Sequence, residues 1–324
     1  MHSAPGRSTG REVPADLLEH IRAQCSLPVP EHLDGLVQAL RTRLGGALAA
    51  LLFHGSCLRD GNLGDGMIDM YALVDSYAHA HQKRLAQLSN AWLPPTVILV
   101  RVNAPDGRKL QAKCAIVSLQ DFEAGTDSWF QSYLWARFAQ PSRLVYFKDP
   151  ATQHRICLAL ARAVITLISR CIAMLPDQFD SFTLWEKALT LAYGAELRPE
   201  PADRPGQLVR HDRAYYSRIT RAAAPAVKHL ECTGEEDRYR NLCPASMRRR
   251  NALLWRFRRV QGRTLNVARL VKSFYTFENG VDYLIWKLER HLDEPIVVTQ
   301  RLRRYPLVFG WPLLWRLLRS RRLR

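Results

Sequence analysis

The sequence predicts an α+β fold: a mixed sheet with helices, followed by a mostly helical region and a C-terminal amphipathic helix. Three observations predict it. Short apolar runs of strand length are confined to residues 48–118, and helical periodicity dominates from Ser128 onward. Residues 305–324 interleave Leu and Trp with Arg and carry no acid.

In chain order, Pro14–Cys25 and Glu31–Leu44 read as helices, the second because Leu33, Leu36, Leu40 and Leu44 recur at three and four positions. Gly45 and Gly46 end it. Leu48–Phe53 and Met67–Val74 read as strands and Tyr77–Leu88 as a helix. Thr96–Val102 and Lys109–Ser118 are strands joined by Asn103-Ala-Pro-Asp-Gly107, which has hairpin turn chemistry. Helices are expected at Ser128–Phe138, Gln153–Met174, Ser181–Tyr193 and Asp212–His229. Cys232–Pro244 reads as a loop, and helices follow at Ser246–Val260, Thr264–Tyr275 and Val281–Leu292. This divides the chain into an N-terminal segment and first helix (1–30), a sheet domain (31–148), a helical domain (149–300) and a basic tail (301–324).

Composition limits the function classes. The 324 residues are 47% hydrophobic and 24% charged, a globular balance. Seven scattered cysteines without a C-x-x-C pair exclude a zinc ribbon and a dithiol redox motif, and imply reduced, mostly buried thiols. The net charge of +17 is concentrated late in the chain: residues 241–324 hold 19 Arg and Lys against five Asp and Glu. So one-sided a field points to an anionic partner, either nucleic acid or an acidic membrane. No transmembrane helix is expected, because Arg162, Arg170 and Arg316 interrupt the longest apolar stretches. Met1–Arg11 is too short and polar for a secretory signal.

The chemistry begins at Phe53-His-Gly-Ser56. A strand running into Gly-Ser, followed by a strand carrying Asp69, suits a triphosphate site. Gly55 lets the backbone approach the phosphates, and the Ser56 hydroxyl and following N–H groups bond their oxygens. A carboxylate on the adjacent strand then holds Mg²⁺ against them. This arrangement resembles the opening of the nucleotidyltransferase fold, with Tyr71 where the general form carries a second acid.

Met67-Ile-Asp-Met-Tyr-Ala-Leu-Val-Asp75 resembles a segment of the mitochondrial-type phosphatidate cytidylyltransferases, the translocator assembly and maintenance family. Further segments are similar in order and spacing: Pro95–Val102, Ala112-Lys-Cys-Ala-Ile-Val-Ser118, Tyr133-Leu-Trp-Ala-Arg-Phe-Ala-Gln-Pro141, Met174-Leu-Pro-Asp177 and Leu189-Thr-Leu-Ala-Tyr-Gly-Ala-Glu-Leu-Arg198. The likeness covers roughly residues 48–220. Cys57, Gln140 and Glu196 depart from the family's Gly, Lys and Asp.

The resemblance implies a CDP-diacylglycerol synthase: CTP and phosphatidate give CDP-diacylglycerol and pyrophosphate, with Mg²⁺. Gly55 and Ser56 would cradle the CTP phosphates. Asp69 and Glu196 would hold the metal, with Glu196 a second, base-like carboxylate. Lys113, Arg137 and Arg198 would bind phosphate oxygens, and Lys113 would join Asp69 and Glu196 in catalysis. His54 reads as a packing or base-stacking residue. The implied location is peripheral: the cytoplasmic face of the inner membrane, or the matrix side of the mitochondrial inner membrane in a eukaryote. Two alternatives stay open. One is a nucleotidyltransferase acting on another phosphorylated lipid or small molecule; the other is a non-catalytic basic protein binding membrane or nucleic acid.

The tail favours membrane over nucleic acid. A helix starting at Pro312 puts Leu313, Leu314, Leu317 and Leu318 on one face, with Arg316 and Arg319 off it. Trp311 and Trp315 would sit at headgroup level and the arginines on acidic lipid. Leu stripes do not stack on bases, so no nucleic-acid partner is expected.

Overall fold

A computed structural model describes residues 12–61, 67–80, 84–103, 107, 109–196, 201 and 203–276. The expected helix Val281–Leu292, Arg198, and the tail with Trp311, Trp315, Arg316 and Arg319 lie outside the described residues.

The fold is α+β. Helices α1 (Ala15–Cys25) and α2 (Asp34–Leu44) precede strand β1 (Leu48–His54), short helix α3 (Ser56–Asp60) and strand β2 (Ile68–Val74). Helices α4 (Tyr77–Ala80) and α5 (Arg84–Trp92) lead to the hairpin β3 (Thr96–Asn103) and β4 (Lys109–Ser118). Then come α6 (Leu119–Asp127), α7 (Trp135–Phe138) and β5 (Arg143–Phe147). The sheet order is β3-β4-β2-β1-β5, with β2 parallel to β4 and every other pairing antiparallel. All seven residues of β1 are buried, so this central strand is apolar throughout rather than alternating.

One face of the sheet carries Leu51, Phe53, Met70, Ala72 and Ile116 against α2. The other carries Leu52, Tyr71, Leu73, Ala115 and Val117 against α8 (Pro150–Cys171), which runs through the main core. That core joins residues on both sides of position 148, from Leu17 to Trp255. The segment Pro150–Met174 is long and apolar enough to cross a membrane by composition, with mean hydropathy 2.0, but 78% of that window is packed inside the protein. The remaining elements are β6 (Gln178–Phe179), α9 (Ser181–Gly194), α10 (Arg204–His211), α11 (Arg213–Ala223), β7 (Leu230–Cys232), β8 (Tyr239–Asn241) and α12 (Ala245–Thr276). None of the seven cysteines forms a disulfide, and only Cys232 is exposed.

Local differences from expectation have local causes. Of the helix expected at Ser128–Phe138 only the end forms, as α7 (Trp135–Phe138), and an unexpected helix precedes it at Leu119–Asp127, where Ser118 at the end of β4 caps it by accepting from the Asp121 N–H at 3.1 Å. Helix α8 begins three residues early, where Asp149 caps Thr152 and Pro150 sits in the first turn. The expected loop Cys232–Pro244 contains β8, which pairs with β6 and with β7 in a second sheet. The two helices expected on either side of Gly262 are one helix. Gly262 does not break it; a Cβ there would stand 2.3 Å from the Ala195 carbonyl oxygen, so glycine permits close helix contact.

Candidate functional site

Strand β1 ends at His54, and the chain turns at Gly55 with φ +98 and ψ −162, a conformation that favours glycine. Ser56 then opens α3. His54 lies opposite Asp69, and Asp69 opposite Lys113. Paired residues on neighbouring strands point to the same side, so these three share the face that also bears Tyr71. The structure therefore gathers Gly55, Ser56, Asp69 and Lys113 at one end of the sheet. A Cβ on Gly55 would stand 2.9 Å from Oδ2 of Asp69.

The helical layer supplies the opposite wall. Arg137 of α7 places Nη2 3.5 Å from Oε2 of Glu196, which follows α9 and is only 8% exposed. Nη1 of Arg137 donates to the Tyr71 hydroxyl at 3.3 Å, and the guanidinium lies 4.7 Å from the Tyr133 ring centre. Tyr71 in turn donates to the Tyr133 hydroxyl at 3.0 Å. The buried Nε of Arg137 has no hydrogen-bond partner among the described residues. His54 packs as expected, its ring 5.2 Å from Tyr71 and 5.8 Å from Phe138.

Two residues that sequence reasoning missed complete this cluster. Tyr133 lies in the turn before α7, four positions ahead of Arg137. Arg269 of α12 stacks 4.2 Å over Tyr133 and donates to Gln131 at 2.7 Å and the Pro94 carbonyl at 2.8 Å. Nothing in the sequence separates Arg269 from the other arginines of its helix. Tyr71, two residues after Asp69, presents a hydroxyl that accepts from Arg137 directly.

The electrostatics are those of a cationic cluster around two phenols. Burial pushes Tyr71 well above the ordinary phenol pKa, with Arg137 partly opposing. Burial also pushes Tyr133 up, but Arg137, Arg269, the Tyr71 hydrogen bond and Lys113 outweigh it, so Tyr133 falls below the usual value. Burial disfavours the charge on Arg137; Tyr71, Tyr133, Glu196 and Asp69 together reverse that and hold it protonated. Burial lowers the pKa of Arg269 despite the same phenols.

The residues also fit a magnesium ion of the kind that needs few protein ligands. Among the described residues no three His, Cys, Asp or Glu cluster together, so no all-protein cage is formed. Mg²⁺ held against a nucleotide takes one or two carboxylates and fills its remaining positions with phosphate oxygens and water. Asp69 suits that role, since it accepts no hydrogen bond from a described residue and borders an open glycine turn. Glu196, the second expected ligand, is engaged by Arg137. No protein-family profile matches the chain, and no curated protein does.

Proposed function

We propose that this protein is a phosphatidate cytidylyltransferase, transferring the cytidylyl group of CTP to phosphatidate at a membrane surface with Mg²⁺. The observation that carries the reading is the placement of Asp69 against the Gly55 turn, beside Lys113 and across from partly buried Arg137. A triphosphate site needs that combination: close backbone approach, a metal-holding carboxylate and fixed cations.

In this reading Gly55 and Ser56 bind the CTP triphosphate through backbone N–H groups and the Ser56 hydroxyl. Asp69 would hold Mg²⁺, which when bound supplies positive charge to the departing pyrophosphate. Lys113 and Arg137 take phosphate oxygens, and the unused Nε of Arg137 is a donor for one of them. Glu196 and Tyr71 fix the Arg137 fork in place, so no reorganisation accompanies charge build-up. A phosphate oxygen of phosphatidate attacks the α-phosphorus of CTP. A P–O–P linkage forms, and the bond to pyrophosphate breaks.

The excess of cations suits an acceptor embedded in an anionic membrane, consistent with a peripheral position on the cytoplasmic or matrix face. A second reading, transfer to another phosphorylated acceptor, is favoured by the same cations, since Arg137 and Arg269 recognise phosphate rather than acyl chains. Incubating the protein with Mg²⁺, each labelled nucleoside triphosphate and either phosphatidate in detergent or a water-soluble phosphate ester tests both. CDP-diacylglycerol from CTP, with little product from ATP or GTP, supports the first reading, because a fitted base pocket leaves polar groups unpaired with the wrong base. CMP transfer to a water-soluble phosphate ester but not to phosphatidate moves the assignment to the second.

A further inference from the structure

Helix α12 has two faces of different chemistry. Its inner face carries Trp255, Arg258, Gly262 and Arg269, which pack on the body of the protein and reach the candidate site. Its outer face is apolar yet uncovered: Leu253 is 53% exposed, Phe257 66%, Val260 67%, Val267 49% and Val271 41%. At 100° per residue these five lie within roughly 80° of the helix circumference, a straight stripe interrupted by exposed Thr264. Arg249, Arg250, Arg256 and Arg263 flank it and are exposed. The helix holds nine Arg and Lys and no Asp or Glu.

We propose that the outer face of α12 is a membrane-docking surface, which lies in the interface of an anionic lipid bilayer with Phe257 and Val260 at its centre. Charge decides the occupant. A second copy would set the same exposed arginines against each other. The basic tail of the chain, residues 301–324, brings eight more arginines and no acid. An anionic bilayer accepts both halves of the pattern: acyl chains take the stripe and acidic headgroups take the flanking arginines. The helix would thus touch lipid on one side and deliver Arg269 to the site on the other. The claim that docking serves catalysis rests on the proposed function; the docking itself does not.

The test uses the full chain and sedimentation with vesicles of phosphatidylcholine containing phosphatidylglycerol, beside vesicles of phosphatidylcholine alone. The wild-type protein is expected to sediment with the anionic vesicles and much less with the neutral ones. Phe257→Asp combined with Val260→Asp should lower partitioning at least about tenfold, because the buried apolar area is lost and two like charges face the headgroups. Both positions are exposed, so Tm should be unchanged. Arg249→Gln with Arg256→Gln and Arg263→Gln is the second variant, and it should remove most of the salt-sensitive part of binding. Wild-type sedimentation by the double Asp variant overturns the proposal, as does failure of the wild type to bind anionic vesicles. Preferential binding of duplex nucleic acid, collapsing entirely with salt, also overturns it. Activity on short-chain phosphatidate dispersed in detergent should survive in the double Asp variant. If vesicle binding follows the pattern but no protein makes CDP-diacylglycerol, the docking stands and the enzyme reading fails.

Discussion

Gly55 and Asp69 meet across the end of the central sheet: a Cβ at position 55 would stand 2.9 Å from Oδ2 of Asp69 and 3.2 Å from its Cβ. The turn that would receive the nucleotide and the carboxylate that would hold its metal are thus one packed unit.

Gly55→Ala should therefore damage function more than folding. The φ of +98 adds strain of about 1–2 kcal/mol, a Tm loss of several degrees, while the new methyl displaces the Asp69 carboxylate. CTP turnover should fall at least about tenfold in protein that remains folded by circular dichroism. Unchanged turnover would separate the glycine from the site.

Arg269→Gln should raise the pKa of Tyr133. Burial pushes that phenol up, and Arg269 is one of the cations that bring it down. Isotope-labelled tyrosine NMR would follow the shift. The same variant should raise KM for phosphatidate about tenfold with a smaller change in kcat, as expected when a charged contact to phosphate is lost.

Lys272 makes stability depend on pH. Its Nζ donates to the carbonyls of Leu93 at 2.6 Å and Pro95 at 2.7 Å, tying α12 to the start of β3. Burial and then Arg269 lower its pKa to about 7, from 10.5 for an ordinary lysine. Between those values the unfolded chain carries a proton that the folded chain lacks, so raising pH favours folding. Tm should rise more between about pH 7 and 9 in the wild type than in Lys272→Gln. Parallel profiles would contradict this.

The sheet was legible because its central strands are apolar runs and its hairpin carries an Asn-to-Gly turn; Gly107 has φ +81. Strand β5 was not, since Arg143–Phe147 is short, lies at the sheet edge and contains no fully buried residue. Of the site, Gly55, Ser56 and Asp69 could be read because a strand running into Gly-Ser is followed closely by a strand bearing an acid. Lys113, Arg137 and Glu196 were identified only through resemblance, as nothing local marks them. Arg269 could not be read at all: 138 residues separate it from its partner Gln131, and only the docking of α12 through Gly262 brings them together.

The central claim is that Asp69 is the metal-holding carboxylate of a nucleotidyl transfer to phosphatidate. The most direct measurement is formation of labelled CDP-diacylglycerol from CTP, phosphatidate and Mg²⁺ by the wild type and by Asp69→Asn, both checked for folding. Loss of an Mg²⁺ ligand should reduce the rate at least about a hundredfold while Tm stays close to the wild-type value. Near-normal product formation by folded Asp69→Asn would contradict the account, as would no product from the wild type.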